Sequence, residues 1–77
     1  MNEILDRVRA IVAKQLSVRE DSVKESSDIV EDLRADDLDV IEILVNVEEE
    51  FAVEVSDEDA EKIRTVGEMV DSVKKRI

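Results

Sequence analysis

The sequence predicts an all-α fold, a small irregular four-helix bundle with three longer helices and one short helix. Its 77 residues, 43% of them hydrophobic, suffice for one compact core, so we expect a single domain over residues 1–77. One glycine, one aromatic residue and no proline argue against a sandwich or barrel, which would need more of each. Apolar residues also recur at helical spacing in separate stretches of the chain.

The first helix is predicted over Glu3–Leu16, where apolar residues recur every three or four positions. Asn2 is placed to cap its first turn. A long loop follows over residues 17–36, and its scattered apolar residues show no sustained period. We expect these residues to pin the loop to the core, with one helical turn near Ile29–Leu33.

The second helix is predicted over Asp37–Phe51, with Asp36 as its cap. Asp37 and Asp39 fall in its first turn, where negative charge complements the helix dipole. Its apolar arc is wider than one ordinary stripe, which predicts a helix at the centre of the packing.

Local capping signals mark the last two helices. Ser56 precedes a short helix over Asp57–Lys62, and Thr65 with Glu68 forms a capping box at the start of the final helix. Apolar residues continue at helical spacing as far as Ile77. The last turn is predicted to hold three basic residues, which suit the negative end of the dipole: Lys74, Lys75 and Arg76.

The composition excludes several classes of function. Without cysteine or histidine the chain can form no disulfide, thiol nucleophile or imidazole base, and we expect no enzyme in so small a domain. The acids of Asp57–Glu61 lack the glycine and the final glutamate of a calcium loop, so we assign no metal site. No apolar run reaches the roughly 18–20 residues of a membrane span, and no signal peptide opens the chain. We therefore expect no membrane insertion and a cytoplasmic protein, with an organelle matrix as the alternative.

Negative charge is concentrated in the middle of the chain. Residues Glu31–Glu61 hold fourteen acidic side chains and one basic side chain, Arg34. This charge repels nucleic acid, and one phenylalanine offers no stacking platform for bases. It favours a protein partner with a patch of lysine and arginine, with solvation of a soluble monomer as the alternative explanation.

Four segments together resemble the acyl carrier protein family. The first leads into the second helix (Glu31–Asp39), and the second ends that helix (Glu48–Phe51). The third is the short helix (Ser56–Ile63), and the fourth begins the last helix (Thr65–Val66). In this family a Gly-x-Asp-Ser-Leu motif opens the second helix. Its serine carries 4′-phosphopantetheine, whose thiol holds acyl groups as thioesters.

The resemblance implies that Asp37 occupies the attachment position and that Arg34 replaces the glycine before it. A carboxylate has no hydroxyl with which to form the phosphodiester, so we expect no phosphopantetheine on this chain unless position 37 were serine. The serines elsewhere are interpreted as loop hydroxyls, local caps or, at Ser72, a solvated helical position. These are Ser17, Ser22, Ser26, Ser27, Ser56 and Ser72.

The resemblance also implies two sets of binding positions. One set is acidic and would meet basic patches on synthases, reductases and transferases: Asp36, Asp39, Glu42, Glu48 and Glu49. The other set matches the family's acyl pocket: Leu38, Ile41, Val45, Ile63 and Val66. Because no acyl group can be attached at Asp37, we expect the second set to be ordinary core.

Three functional hypotheses remain open. The first is a carrier-like binding module without an attachment site, docking on enzymes of fatty-acid or polyketide synthesis. The second is a genuine acyl carrier protein of fatty-acid biosynthesis with serine changed to aspartate. The third is a structural or regulatory subunit that reuses the fold. Neighbouring genes would discriminate among them, since fatty-acid synthesis genes favour the first two.

Overall fold

The computed structural model describes residues 3–77. It contains four helices: α1 (Glu3–Leu16), α2 (Asp37–Phe51), α3 (Asp57–Lys62) and α4 (Val66–Lys74). Within residues 3–77 no strand forms, so the predicted all-α bundle of three longer helices and one short helix is confirmed. The predicted Asn2 cap lies outside the described residues.

Side-chain caps fix where α2, α3 and α4 begin. The predicted Ser56 cap and the Thr65–Glu68 capping box are both present. At α2, the Asp36 carboxylate accepts from the Asp39 N–H, and the Asp39 carboxylate accepts in return from the Asp36 N–H. This second box was not predicted, because the reciprocal residue is usually glutamate or glutamine.

The core forms around α1, which packs against both α2 and α4. This corrects the prediction that α2 is the central helix. Helix α2 buries only Ile43 and Val47, whereas α3 buries no residue. The buried apolar residues come from α1, α2, α4 and the long loop: Val8, Val12, Ala13, Val23, Ile29, Ala35, Ile43, Val47, Val66, Met69, Val70 and Val73.

The loop between α1 and α2 is ordered by its own buried residues and by hydrogen bonds to α4. It contains a 3₁₀ helix over Glu20–Ser22, which was not predicted. It also contains turns over residues 29–33, where one helical turn was predicted. Backbone N–H groups at the start of α4 donate to carbonyls of this loop, with Gly67 N 2.8 Å from Glu25 O. A Cβ on Gly67 would lie 3.1 Å from that oxygen, so this close approach favours the chain's single glycine.

Helix α4 ends earlier than predicted. It stops at Lys74, Lys75 is its C-cap, and Ile77 is 66% exposed. The Arg76 side chain instead crosses to other elements, donating to the carbonyl oxygen of Glu54 at 2.9 Å and to the carboxylate of Asp59 at 2.5 Å. Contacts with these residues, distant in sequence, could not be anticipated from the spacing of apolar residues.

The contact between α1 and α2 carries polar side chains along its edge. Near the start of α1, Arg7 pairs with the carboxylate of Glu50. Its guanidinium carbon also lies 4.6 Å from the ring centroid of Phe51, which is half-buried at the end of α2. Such an arrangement adds a cation–π attraction to the ion pair.

Candidate functional site

Asp37 is the first residue of α2 and is exposed to solvent. It stands beside an open groove of about 610 Å³ between α2 and α3. Apolar side chains dominate this groove, and carboxylates join them. The other lining residues are Val30, Val40, Ile41, Leu44, Asp57, Ala60, Glu61 and Ile63. A group extending from position 37 would therefore start beside a surface able to receive an apolar chain.

The predicted pocket residues separate into three environments. Ile41 and Ile63 line the groove beside Asp37, and Val45 lines an adjoining depression. Val66 is fully buried, as expected of core, whereas Leu38 is 62% exposed.

The expectation of ordinary core is wrong for Leu38, Ile41 and Val45, which are all exposed. The physical reason is the orientation of α2. Ile43 and Val47 are its buried residues, and a helix advances by about 100° per residue, so the wide apolar arc extends beyond the core.

Leu38, Ile41 and Val45 form an exposed apolar stripe on α2, at the i, i+3, i+7 positions of one helix face. Contiguous exposed apolar surface of this kind marks an interaction site more often than an isolated exposed leucine does. Sequence reasoning placed these residues in the pocket set but missed Val30, Val40 and Leu44 as groove residues. For Val40 and Leu44, the unusual width of the apolar arc of α2 was the feature of the sequence that could have identified them.

The five predicted recognition acids have different surroundings. Asp36 and Asp39 form the α2 capping box, and Glu42 is exposed. The carboxylate of Glu48 accepts from the backbone N–H of Val55 at 2.8 Å and so secures the segment after α2.

Glu49 is exposed, and its side chain makes no hydrogen bond or ion pair within residues 3–77. The structure brings Asp39 and Glu42 together through one donor, since the side-chain amide nitrogen of Gln15 lies 3.4 Å from Asp39 Oδ1 and 2.5 Å from Glu42 Oε2.

These five acids keep their negative charge available. Four ion pairs occur among the described residues, and none includes a recognition acid. Arg34, the one base within Glu31–Glu61, is exposed and also belongs to no ion pair in this part of the chain. The result is an acidic helix face adjoining the apolar stripe.

Four of the six serines are buried or use their hydroxyls in local hydrogen bonds, whereas Ser17 and Ser26 are exposed in the loop. Ser27 and Ser72 are 8% and 7% exposed, and the Ser72 hydroxyl accepts from Arg76. The interpretation of Ser72 as a solvated position is therefore wrong, because the fold turns this side of α4 inward. Ser56 uses its hydroxyl as the α3 cap, as predicted.

Across residues 3–77, no group of three or more acidic side chains is arranged to hold a metal ion. The same residues include no helix that combines the length and the apolar character needed to cross a membrane.

A four-helix domain with an apolar groove beside the first residue of its second helix has the form of a small carrier domain. A family model described as "Phosphopantetheine attachment site" matches residues 6–73. The chain belongs to the acyl carrier protein family.

Individual relatives agree with this assignment. An acyl carrier protein from Chlamydia muridarum is 48% identical over 71 residues, covering 92% of each chain. One from Thermosynechococcus vestitus is 46% identical over 76 residues, covering 99% of this chain and 94% of the relative. Among solved structures, the thermally stable acyl carrier protein from Enterococcus faecalis superposes with a TM-score of 0.81 at 40% identity, covering 97% of this chain and 95% of the other.

Proposed function

We propose that the chain is an acyl carrier protein of fatty-acid biosynthesis, with Asp37 at the position where the family attaches its cofactor. This is the second of the three sequence hypotheses, and relatives named acyl carrier protein over almost the full length favour it. The observation that carries it is the location of Asp37 beside the apolar groove. The carrier role requires serine at position 37, and catalysis belongs to the enzymes that the carrier meets.

Phosphopantetheine chemistry does not fit residue 37 as it stands. The family's cofactor joins a serine hydroxyl through a phosphodiester, and an aspartate carboxylate cannot replace that hydroxyl. Ser27 and Ser72 are buried, Ser56 caps α3, and none of the six serines lines the groove beside Asp37. We therefore expect the chain with Asp37 to dock on carrier-dependent enzymes without transferring an acyl group.

Docking is proposed to use α2. The five recognition acids form no ion pair within residues 3–77, so their charge is free to attract basic patches on enzymes of fatty-acid or polyketide synthesis. The exposed stripe of Leu38, Ile41 and Val45 adds apolar contact area. We propose that the carrier acts as a monomer in the cytoplasm.

Attachment is tested with Asp37→Ser. The variant is incubated with coenzyme A and a phosphopantetheinyl transferase and then weighed by mass spectrometry, with the unchanged chain as control. We expect the mass of the variant to increase by one phosphopantetheine group and the mass of the control to stay unchanged. Phosphopantetheine on the unchanged chain would place attachment at another residue. A folded Asp37→Ser variant that takes up no phosphopantetheine would favour the structural-subunit hypothesis.

The docking face is tested by reversing two charges, Asp39→Lys and Glu42→Lys. Titration against a carrier-dependent synthase should show affinity weakened by about 0.5–2 kcal/mol, chiefly through slower association and a flatter salt dependence. The matched control reverses Glu3 and Asp6, which lie on α1 outside the acidic segment. Equal affinity for the α2 variant and the parent would mean that the acidic face serves solvation only.

A further inference from the structure

Gln15 joins the two acids at the centre of the proposed docking face. It lies in the last turn of α1 and is half-buried. Its Nε2 atom is 2.5 Å from Glu42 Oε2 and 3.4 Å from Asp39 Oδ1. One amide nitrogen, with two hydrogens to donate, thus faces two carboxylates from successive turns of α2.

The remaining oxygen of Asp39 is also engaged. Asp39 Oδ2 accepts from the backbone N–H of Asp36 at 3.3 Å, within the capping box. Asp39 is therefore held from both sides, by the start of its own helix and by α1. Glu42 is exposed, and the contact with Gln15 is the one hydrogen bond of its side chain within the described residues.

The chemistry of the donor is informative because it is neutral. At the other end of the same α1–α2 contact, Arg7 pairs with Glu50 and offsets its charge. An amide instead satisfies two carboxylates without cancelling their charges. Residues at i and i+3 on a helix are neighbours, and two like charges there repel, so a bridging donor opposes their separation.

We propose that Gln15 is a positioning residue for partner binding. It holds the carboxylates of Asp39 and Glu42 together as one doubly charged acceptor for a basic side chain of the docking enzyme. The inference rests on the proposed function, because it assumes that enzymes dock on these two acids. The benefit is preorganisation, since side chains fixed before binding lose less conformational freedom when the partner arrives.

Replacement of Gln15 should leave a kinetic signature different from that of charge reversal. Gln15→Met keeps a similar length and the same net charge but removes the donor. We expect dissociation from a carrier-dependent synthase to be about two- to tenfold faster. Without Gln15, binding must order each freed carboxylate side chain, at a cost of about 0.5–1.5 kcal/mol per side chain. The association rate and its salt dependence should be unchanged, because long-range attraction depends on charge.

A second measurement needs no partner. Three-bond NMR couplings report the χ1 rotamers of Asp39 and Glu42 in the free protein. Gln15→Met should convert the single Glu42 rotamer into an average over several. Gln15→Asn retains the amide but shortens its reach by one methylene, and it should give the same averaging. Circular dichroism establishes that each variant is folded.

The matched control is Asn46→Met, which also replaces a neutral amide on the α1–α2 edge. Asn46 is exposed on α2 and lies in the same surface depression as Gln15, and its side chain makes no hydrogen bond within residues 3–77. This variant should alter neither the Glu42 rotamer nor the dissociation rate.

The outcomes separate the inference from the function on which it rests. Faster dissociation with Gln15→Met that disappears in an Asp39→Asn, Glu42→Gln background supports positioning through these acids. Unchanged dissociation or an unchanged Glu42 rotamer overturns the positioning role, even where charge reversal still weakens docking. If charge reversal itself has no effect, the docking face and the positioning role both fail.

Discussion

Among residues 3–77, three non-glycine residues adopt left-handed backbone conformations. Their φ angles are 56° at Ser17, 63° at Arg34 and 53° at Ala52. Side chains other than glycine are disfavoured there by roughly 1–2 kcal/mol. Ser17 and Ala52 follow the ends of α1 and α2, where the next N–H closes onto the helix, as in Val53 N to Glu48 O at 3.0 Å. Arg34 stands where the family resemblance implies glycine, and its positive φ supplies the physical reason for that glycine.

Ala52→Gly is expected to raise the free energy of unfolding by about 0.5–1 kcal/mol. Glycine removes the steric cost of the left-handed conformation, although it also adds entropy to the unfolded chain. Urea denaturation measures the change. The matched control is Ala10→Gly, at an exposed position inside α1, which should lower stability by about 1 kcal/mol. A loss of stability with Ala52→Gly would contradict a left-handed helix end.

Helix α3 is attached by polar contacts more than by burial. It contributes no buried residue, and its Asp59 accepts a hydrogen bond from Arg76 at 2.5 Å. Arg76 also donates to the backbone oxygens of Glu54 and Ser72. One partly buried guanidinium therefore connects α3, the segment before it and the end of α4.

Two carboxylates, one on α3 and one on α4, make the stability of the fold depend on pH. The hydrogen bond from Arg76 holds the pKa of Asp59 below its usual range, with nearby positive charge adding to the effect and burial opposing it. Backbone N–H groups of Arg64 and Thr65 likewise lower the pKa of Glu68. Because the folded pKa values lie below the unfolded ones, both contributions are complete above about pH 5 and are lost as the pH falls through the folded values.

Asp59→Asn and Glu68→Gln are therefore each expected to lower stability at neutral pH. Each difference from the parent should shrink as the pH falls through the lowered folded pKa values, where the parent's carboxylates also become protonated. Urea midpoints between neutral and acidic pH measure this convergence. Glu58→Gln is the control, since Glu58 is an exposed α3 carboxylate without an ion pair in the described residues. A constant difference across the pH range would assign the loss to packing instead of charge.

The beginnings of the helices were predictable because their signals are local. Ser56, Asp36 and the Thr65–Glu68 box satisfy backbone donors only three residues away. The end of α4 was not predictable, since Arg76 leaves the helix for acceptors distant in sequence. The exposed stripe of α2 was likewise misassigned, because the sequence shows a wide apolar arc but not which part of it faces α1.

For the molecule as a whole, charge opposes compactness. The net charge is -11, and fourteen acids lie within Glu31–Glu61. Their mutual repulsion destabilises the folded state and is reduced by counterions. We expect millimolar Mg²⁺ to raise the melting temperature by about 4–8 °C for each kcal/mol of repulsion relieved.

Sodium chloride at matched ionic strength is the control for this prediction. It should raise the melting temperature in the same direction, because screening requires no dedicated site. A melting temperature insensitive to both salts would show that the repulsion contributes little. An increase with Mg²⁺ alone would indicate specific coordination by the acids instead of screening.

The Arg7–Phe51 contact has a spectroscopic consequence. The chain contains no tryptophan or tyrosine, so Phe51 is its only aromatic chromophore. The protein therefore absorbs almost no light at 280 nm and lacks tryptophan fluorescence. With Arg7 held 4.6 Å from the ring centroid, the weak near-ultraviolet bands and the ring-current shifts of this protein all originate where the start of α1 meets the end of α2.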